Sequence, residues 1–172
     1  MTVVVDLGCA NHNNIDSIRL LAKRFKPDVI YGFDPLLPLN TTRWHGRTKV
    51  VRQQKAAWTH DGVVDFRDDG VASCVIGPDG PTLREEMRLQ DSVAPRWVEC
   101  FDLAAWLYEM GDQHRLLPGD HVVVKMDVEG AEYTLLHHLM KTGAIGVIDL
   151  LLIEWHWQPV ENLPCPIEDW AY

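Results

Sequence analysis

The sequence predicts an α/β fold with a doubly wound, mostly parallel sheet. Three observations carry that expectation. Val3-Val4-Val5 and Val122-Val123-Val124 are apolar runs without polar alternation, the pattern of strands covered on both faces, and Ile148 to Ile153 is a third run, apolar but for Asp149. Stretches with apolar residues at helical spacing alternate with these runs. Strand, helix and strand also follow one another between Val3 and Phe33, within the length of one βαβ unit.

The first strand, Val3 to Leu7, ends at Gly8. A short polar loop follows, and Ile15, Ile18, Leu21, Ala22 and Phe25 then mark a helix, with Asn13 or Asn14 as its N-cap. Pro27 stops that helix. Asp28 to Phe33 is the second strand, closed by Asp34-Pro35. Pro35 to Arg47 reads as mixed, with room for one helical turn, and Thr48 to Gln53 is the third strand. Asp61-Gly62, Asp69-Gly70 and Asp79-Gly80 flank the apolar runs Val63 to Phe66 and Val71 to Ile76, which predicts an inserted β-hairpin around 62–76. Gly77 to Ser92 reads as a loop. Val93 to Cys100 is a short strand. Leu103, Trp106, Leu107 and Met110 form the stripe of a helix with Gly111 past its end. After the strand Val122 to Met126, Gly130 opens a helix carrying Leu135, Leu136, Leu139 and Met140, and Gly143 suits its C′ position. His137 and His138 on that helix read as solvated. The last strand is Ile148 to Ile153.

At 172 residues, 47% hydrophobic and 24% charged, the chain fits one soluble domain spanning 1–172. The charge of −9 argues against a non-specific hold on nucleic acid or on anionic membranes. The four cysteines, Cys9, Cys74, Cys100 and Cys165, are scattered without a C-x-x-C pair, so neither a zinc site nor a disulfide framework is signalled. Reduced thiols and the absence of a signal-like N-terminal segment or a long apolar run point to the cytoplasm.

Ligands of open parallel sheets bind beyond the carboxyl ends of the strands, where strand order reverses. Here the strands end in Asp6-Leu7-Gly8, Asp34, Asp127-Val128-Glu129 and Glu154-Trp155-His156. Gly8 lets backbone approach a ligand closely. Asp34 can accept two hydrogen bonds from vicinal ribose hydroxyls. Asp127 can pair with an ammonium. A ribose together with an ammonium matches S-adenosylmethionine, whereas a dinucleotide site would want G-x-G-x-x-G, which is absent. The competing reading of Asp34 is an Asp-Pro turn starter. Acids near Gly130 also suit a helix N-terminus, and Glu132 is assigned mainly to that role. Lys125 fits either a buried ion pair or an acceptor contact.

Val4-Val5-Asp6-Leu7-Gly8-Cys9-Ala10-Asn11 resembles motif I of class I S-adenosylmethionine-dependent methyltransferases, which have a Rossmann-like fold. Lys125-Met126-Asp127-Val128-Glu129-Gly130-Ala131-Glu132, with Leu135, Leu136 and Ile153-Glu154-Trp155-His156, resembles the FkbM family within that class. Tyr31 to Pro35 and Gln54 to Ala57 fit the same family, over roughly residues 3–157. The resemblance implies methyl transfer to a hydroxyl of a sugar or other small-molecule acceptor. It places Asp6, Gly8, Cys9, Ala10 and Asn11 at the methionine end of the cofactor and Asp34 at the ribose. Gln54 and Ala56 fall by the adenine, and Asp127 and Glu129 by the sulfonium and the acceptor.

A hydroxyl acceptor needs a base, and Asp127, Glu129, Glu154, His156 and His12 are the candidates, with Asp127, Glu154 and His156 foremost. The same carboxylates and His156 suit Mg²⁺ or Mn²⁺ better than Zn²⁺, although no metal-ligand spacing is distinctive and no metal ligand is assigned. His12-Asn13-Asn14 stand where motif I carries another glycine. The chain after Trp157 is broken by Pro159, Pro164 and Pro166, so the sheet is expected to lack the family's C-terminal β-hairpin. A sheet edge left open in that way is compatible with a homodimer or with a longer parent protein. A methyltransferase-like binding module without activity is the alternative, and a nicotinamide-dependent oxidoreductase a weaker one.

Overall fold

Val3, Val4, Val5 and Leu7 have no exposure at all, as a strand covered on both faces requires. The computed structural model describes residues 1–9, 17–67, 74–76 and 96–156. In chain order its elements are β1 (Thr2–Leu7), α1 (Ser17–Phe25), β2 (Val29–Phe33), β3 (Thr41–His45), β4 (Thr48–Gln53), β5 (Ala56–Trp58), β6 (Gly62–Arg67) and β7 (Cys74–Ile76). They continue as β8 (Arg96–Asp102), α2 (Leu103–His114), β9 (His121–Met126), α3 (Glu132–Thr142), a 3-10 turn (Ala144–Val147) and β10 (Leu150–Ile153).

The main sheet has the order β10-β9-β1-β2-β4-β3. All neighbours run parallel except β3, which is antiparallel to β4. The chain therefore works outward from β1 through β2 to β4, then restarts on the other side with β9 and β10. The reversal of strand order lies between β1 and β9, with helices on both faces.

Side-chain alternation along β1 divides the core. Val4 joins Ile30, Val50 and Val123 beneath Ile18, Leu21 and Ala22 of α1. Val3, Val5 and Leu7 face the opposite layer, where Leu103, Leu107 and Met110 of α2 meet Leu135 and Leu139 of α3. Gly32 of β2 meets the α1 layer at close range. A Cβ there would stand 2.9 Å from both Cys9 Sγ and Ile18 Cδ1.

The expected hairpin around 62–76 is present, with Asp65 opposite Ile76 in the antiparallel pair β6–β7. It belongs to a larger unit, a second sheet of order β5-β8-β6-β7. Trp58, Val64 and Phe101 of this sheet pack into the α2–α3 layer. The stretch Pro35 to Arg47 differs from expectation. Thr41 to His45 forms β3 and turns back on β4 through Gly46 and Arg47. Every β3 residue is half-buried or exposed, so no buried face marks the strand in sequence; only its Thr and Trp content favours extension.

Helix α2 also runs beyond the expected stop at Gly111 and ends at Arg115, which adopts the left-handed conformation at φ 49°. Its last turn is anchored by the Tyr31 hydroxyl against His114 Nε2 at 2.8 Å. Gly143 closes α3 at φ 77°, as its spacing predicts. The N-cap expected at Asn13 or Asn14, the loop from Gly77 to Ser92 and the segment after His156 lie outside the described residues. No helix among the described residues is long and apolar enough to cross a membrane. Cys9 and Cys100 are free thiols.

Candidate functional site

The register sets the site. Leu7 stands opposite Phe33 and Met126, Phe33 opposite Gln53, and Ile153 opposite Met126, so five strands end in one row. The next residues, Gly8, Asp34, Gln54, Asp127 and Glu154, emerge along a single edge. Four of them are tied to the neighbouring strand: the N–H groups of Gly8, Asp34, Asp127 and Glu154 donate to Phe33 O, Gln53 O, Leu7 O and Met126 O at 2.9, 3.2, 3.1 and 2.9 Å. Gly8 has φ +80°, and a Cβ there would lie 1.7 Å from the Asp127 carbonyl oxygen. No side chain fits at that crossing.

Asp6 is fully buried and faces α1, where its Oδ2 accepts from Ser17 Oγ at 2.6 Å. Lys125 lies opposite Asp6 in the β1–β9 register. Its Nζ reaches Asp6 Oδ1 at 3.4 Å, donates to Asp127 Oδ2 at 2.8 Å and to Gly8 O at 3.3 Å. Lys125 is thus an ion-pair residue joining two strand ends. Burial pushes the Asp6 carboxyl above its ordinary value, against the pull of Lys125 and Ser17. Burial also works against the Lys125 ammonium, but Asp6 and Asp127 outweigh it and hold its pKa above the usual lysine value.

Asp34 is buried at the end of β2. Its Oδ1 accepts from Leu36 N at 2.8 Å, so it does start the Asp-Pro turn. Gln54 sits beside that turn, with Nε2 3.5 Å from Pro35 O and its backbone N–H on Asn40 Oδ1 at 2.6 Å. Ala56 is not in the row; it is buried in β5 of the second sheet, opposite Cys100. The Cys9 side chain belongs to the core, where burial, reinforced by Asp6 and Asp34, raises its thiol pKa far above the usual range. Only the backbone of Cys9 is left near the strand ends, with its N–H 3.4 Å from Phe33 O. Ala10, Asn11 and His12 lie outside the described residues.

A second cluster forms where the β9 and β10 ends meet. His156 Nδ1 lies 2.8 Å from Glu132 Oε1. Its Nε2 faces Glu129 Oε2 at 3.5 Å and Asp127 Oδ1 at 3.9 Å. One ligand atom from each of Asp127, Glu129 and His156 falls within 4.8 Å of the others, a set that could hold a metal ion. Glu129 itself has φ 53°.

Glu132 has a larger part than its sequence position implies. It is completely buried, and it accepts from Val128 N at 2.9 Å and from Gly130 N at 2.8 Å. The helix-start role expected for it holds, since it lies in the first turn of α3. Through the same carboxylate it also orients His156. Composition gives no sign of that burial. Glu154 is on the row but exposed, and outside the three-residue cluster. The Trp155 ring lies 5.1 Å from that of Tyr133 of α3, tilted by 44°.

In sum of charge, Asp6, Asp127, Glu129 and Glu132 outnumber Lys125 at this edge, which suits a cationic ligand. Comparison of the chain with protein-family models, with curated proteins and with solved structures finds no match.

Proposed function

We propose that the chain is a cytoplasmic S-adenosylmethionine-dependent methyltransferase that methylates a hydroxyl of a sugar or other small metabolite. The observation that carries the reading is the row of strand ends at the reversal of strand order. It sets Gly8 between Asp34 on one side and Asp127 on the other. The FkbM-like block from Lys125 to Glu132 supports it, because that block supplies Asp127, Glu129 and Glu132 to the same edge.

The residues present fit the donor. Asp34 offers a carboxylate where a ribose would lie, and the close Gly8–Asp127 crossing leaves only backbone at the centre of the row. The acidic edge suits a ligand with a sulfonium and an ammonium. S-adenosylmethionine, when bound, supplies a methyl group on a positively charged sulfur. The chain's own work is to hold the acceptor oxygen in line with that methyl and to keep both in place. Lys125 fixes Asp127 and so the geometry of the central strand ends. The proton of the acceptor hydroxyl leaves toward Asp127, Glu129 and His156, the proton acceptors grouped where the β9 and β10 ends meet.

Calorimetry tests the reading. S-adenosylmethionine and S-adenosylhomocysteine should bind with Kd in the micromolar range, and Asp34→Ala should weaken both at least about tenfold, or about 1.4 kcal/mol. No heat with either ligand would sink the proposal. Tight binding with no methylated acceptor across a hydroxyl-compound panel would favour a binding module. Heat with NADH alone would favour an oxidoreductase.

A further inference from the structure

We propose that Asp127, Glu129 and His156 form a binding site for one hard divalent cation, Mg²⁺ or Mn²⁺. The distances fit. Oxygen and nitrogen donors about 2.1 Å from such an ion stand about 3 Å apart when adjacent and about 4.2 Å apart when opposite. His156 Nε2 lies 3.5 Å from Glu129 Oε2 and 3.9 Å from Asp127 Oδ1. Both separations fall between those limits, and both exceed the usual N–H···O range.

The imidazole is also prepared for the role from behind. Glu132 is fully buried and takes the Nδ1 side of the ring at 2.8 Å. A carboxylate there selects the tautomer with its proton on Nδ1, which leaves the Nε2 lone pair toward the two acids. A carboxylate behind a ligating histidine is the usual way proteins fix ring orientation at a metal. Glu132 is in turn held by the N–H groups of Val128 and Gly130, so the ring rests on backbone.

The Asp127 carboxylate is divided between two tasks. Its Oδ2 takes the Lys125 ammonium, and its Oδ1 faces His156. Lys125 therefore orients the ligand oxygen without occupying it. Two carboxylates and one imidazole, with no thiolate among them, suit Mg²⁺ or Mn²⁺. Three protein donors leave coordination positions for water or for oxygens of a second molecule. If the methyl-transfer reading holds, an acceptor with two adjacent oxygens is the ligand that fits them; the ion would lower the pKa of the hydroxyl it binds, and the proton would pass to solvent in place of the three side chains, whose lone pairs the ion takes. That use depends on the methyl-transfer reading; the ion site does not.

The test is a titration of MnCl₂ into chelator-treated protein, followed by the electron paramagnetic resonance of free Mn²⁺. One site is expected, with competition by Mg²⁺. His156→Ala and Glu129→Gln should each weaken Mn²⁺ at least about tenfold. Glu132 is a positioning residue. Glu132→Gln should weaken Mn²⁺ by a similar factor and shift the His156 ring ¹⁵N resonances away from the Nδ1–H pattern of the native protein. In the unsubstituted protein, substoichiometric Mn²⁺ should broaden the His156 ring signals ahead of those of His45 or His121, a readout that survives if a variant fails to fold. Absence of a Mn²⁺ site, or a site indifferent to both ligand substitutions with His156 unbroadened, would overturn the proposal. Calorimetry with S-adenosylmethionine in the absence of metal reports separately, so either reading can fail alone.

Discussion

Lys125 answers two carboxylates at once, and its removal exposes how much the row depends on one charge. Lys125→Met would leave Asp6 buried beside Ser17 without its counter-ion. The expected cost is about 3–5 kcal/mol, read as a lowered urea midpoint. The pH dependence follows from the direction of its shift. Burial depresses the ammonium, but Asp6 and Asp127 raise it further, so the folded pKa lies above the ordinary 10.5. Its contribution is complete below 10.5 and is lost as pH rises through the folded value. Native stability should fall more steeply than that of Lys125→Met as pH rises above 10.5. Equal slopes would remove Lys125 from the account. The carboxylates at the strand ends were legible from sequence because each follows an apolar run. The partner of Lys125 was not, because it depends on the residue opposite, and that register joins positions far apart in the chain. The orienting role of Glu132 was hidden for a related reason: its partner His156 arrives from beyond another strand, β10.

At the scale of elements, Asp102 links two helices. It caps α2 by accepting from Ala104 N and Ala105 N at 2.9 and 3.1 Å, and the same Oδ1 meets His138 Nε2 of α3 at 2.9 Å. His138 is therefore a contact between helices, whereas its neighbour His137 is exposed as expected. Burial raises the Asp102 pKa somewhat, but His138 and the two amides bring it below the ordinary carboxylate value. Asp102→Ala should cost about 1–2 kcal/mol in urea denaturation, and Asp102→Asn should recover most of it, because an amide oxygen also caps. A loss of equal size in both variants would point to charge rather than capping. Helices were legible where apolar spacing was regular, as with Leu103, Leu107 and Met110. Their ends were less so, since Gly111 is itself a weak helix residue but not a stop when Tyr31 anchors the following turn. Strand β3 escaped because it buries no face.

Over the whole molecule, the charge of −9 and the acidic edge favour cations. S-adenosylmethionine carries one more positive charge than S-adenosylhomocysteine. Raising NaCl from about 50 mM to about 500 mM should therefore weaken the first more than the second, since salt screens the difference in charge. Equal weakening would show that the edge does not sense the sulfonium. The parallel sheet and its winding were legible from three apolar runs. The second sheet was legible only as its β6–β7 hairpin, because β5 and β8 join it through pairings that no local pattern announces. The edge strand β10 has no further partner among the described residues, and Leu150 and Leu152 are exposed along it.

The central place of β1 also fixes an order of events during synthesis. Its first partner, β2, leaves the ribosome soon after it, so the Gly8–Asp34 half of the edge can form early in the nascent chain. The other half waits for β9 and β10, which bring Lys125 to Asp6. Pairings so distant in the chain form slowly. The open side of β1 is thus the interval in which a nascent chain is most exposed to mispairing, and the His156 cluster is among the last features to assemble.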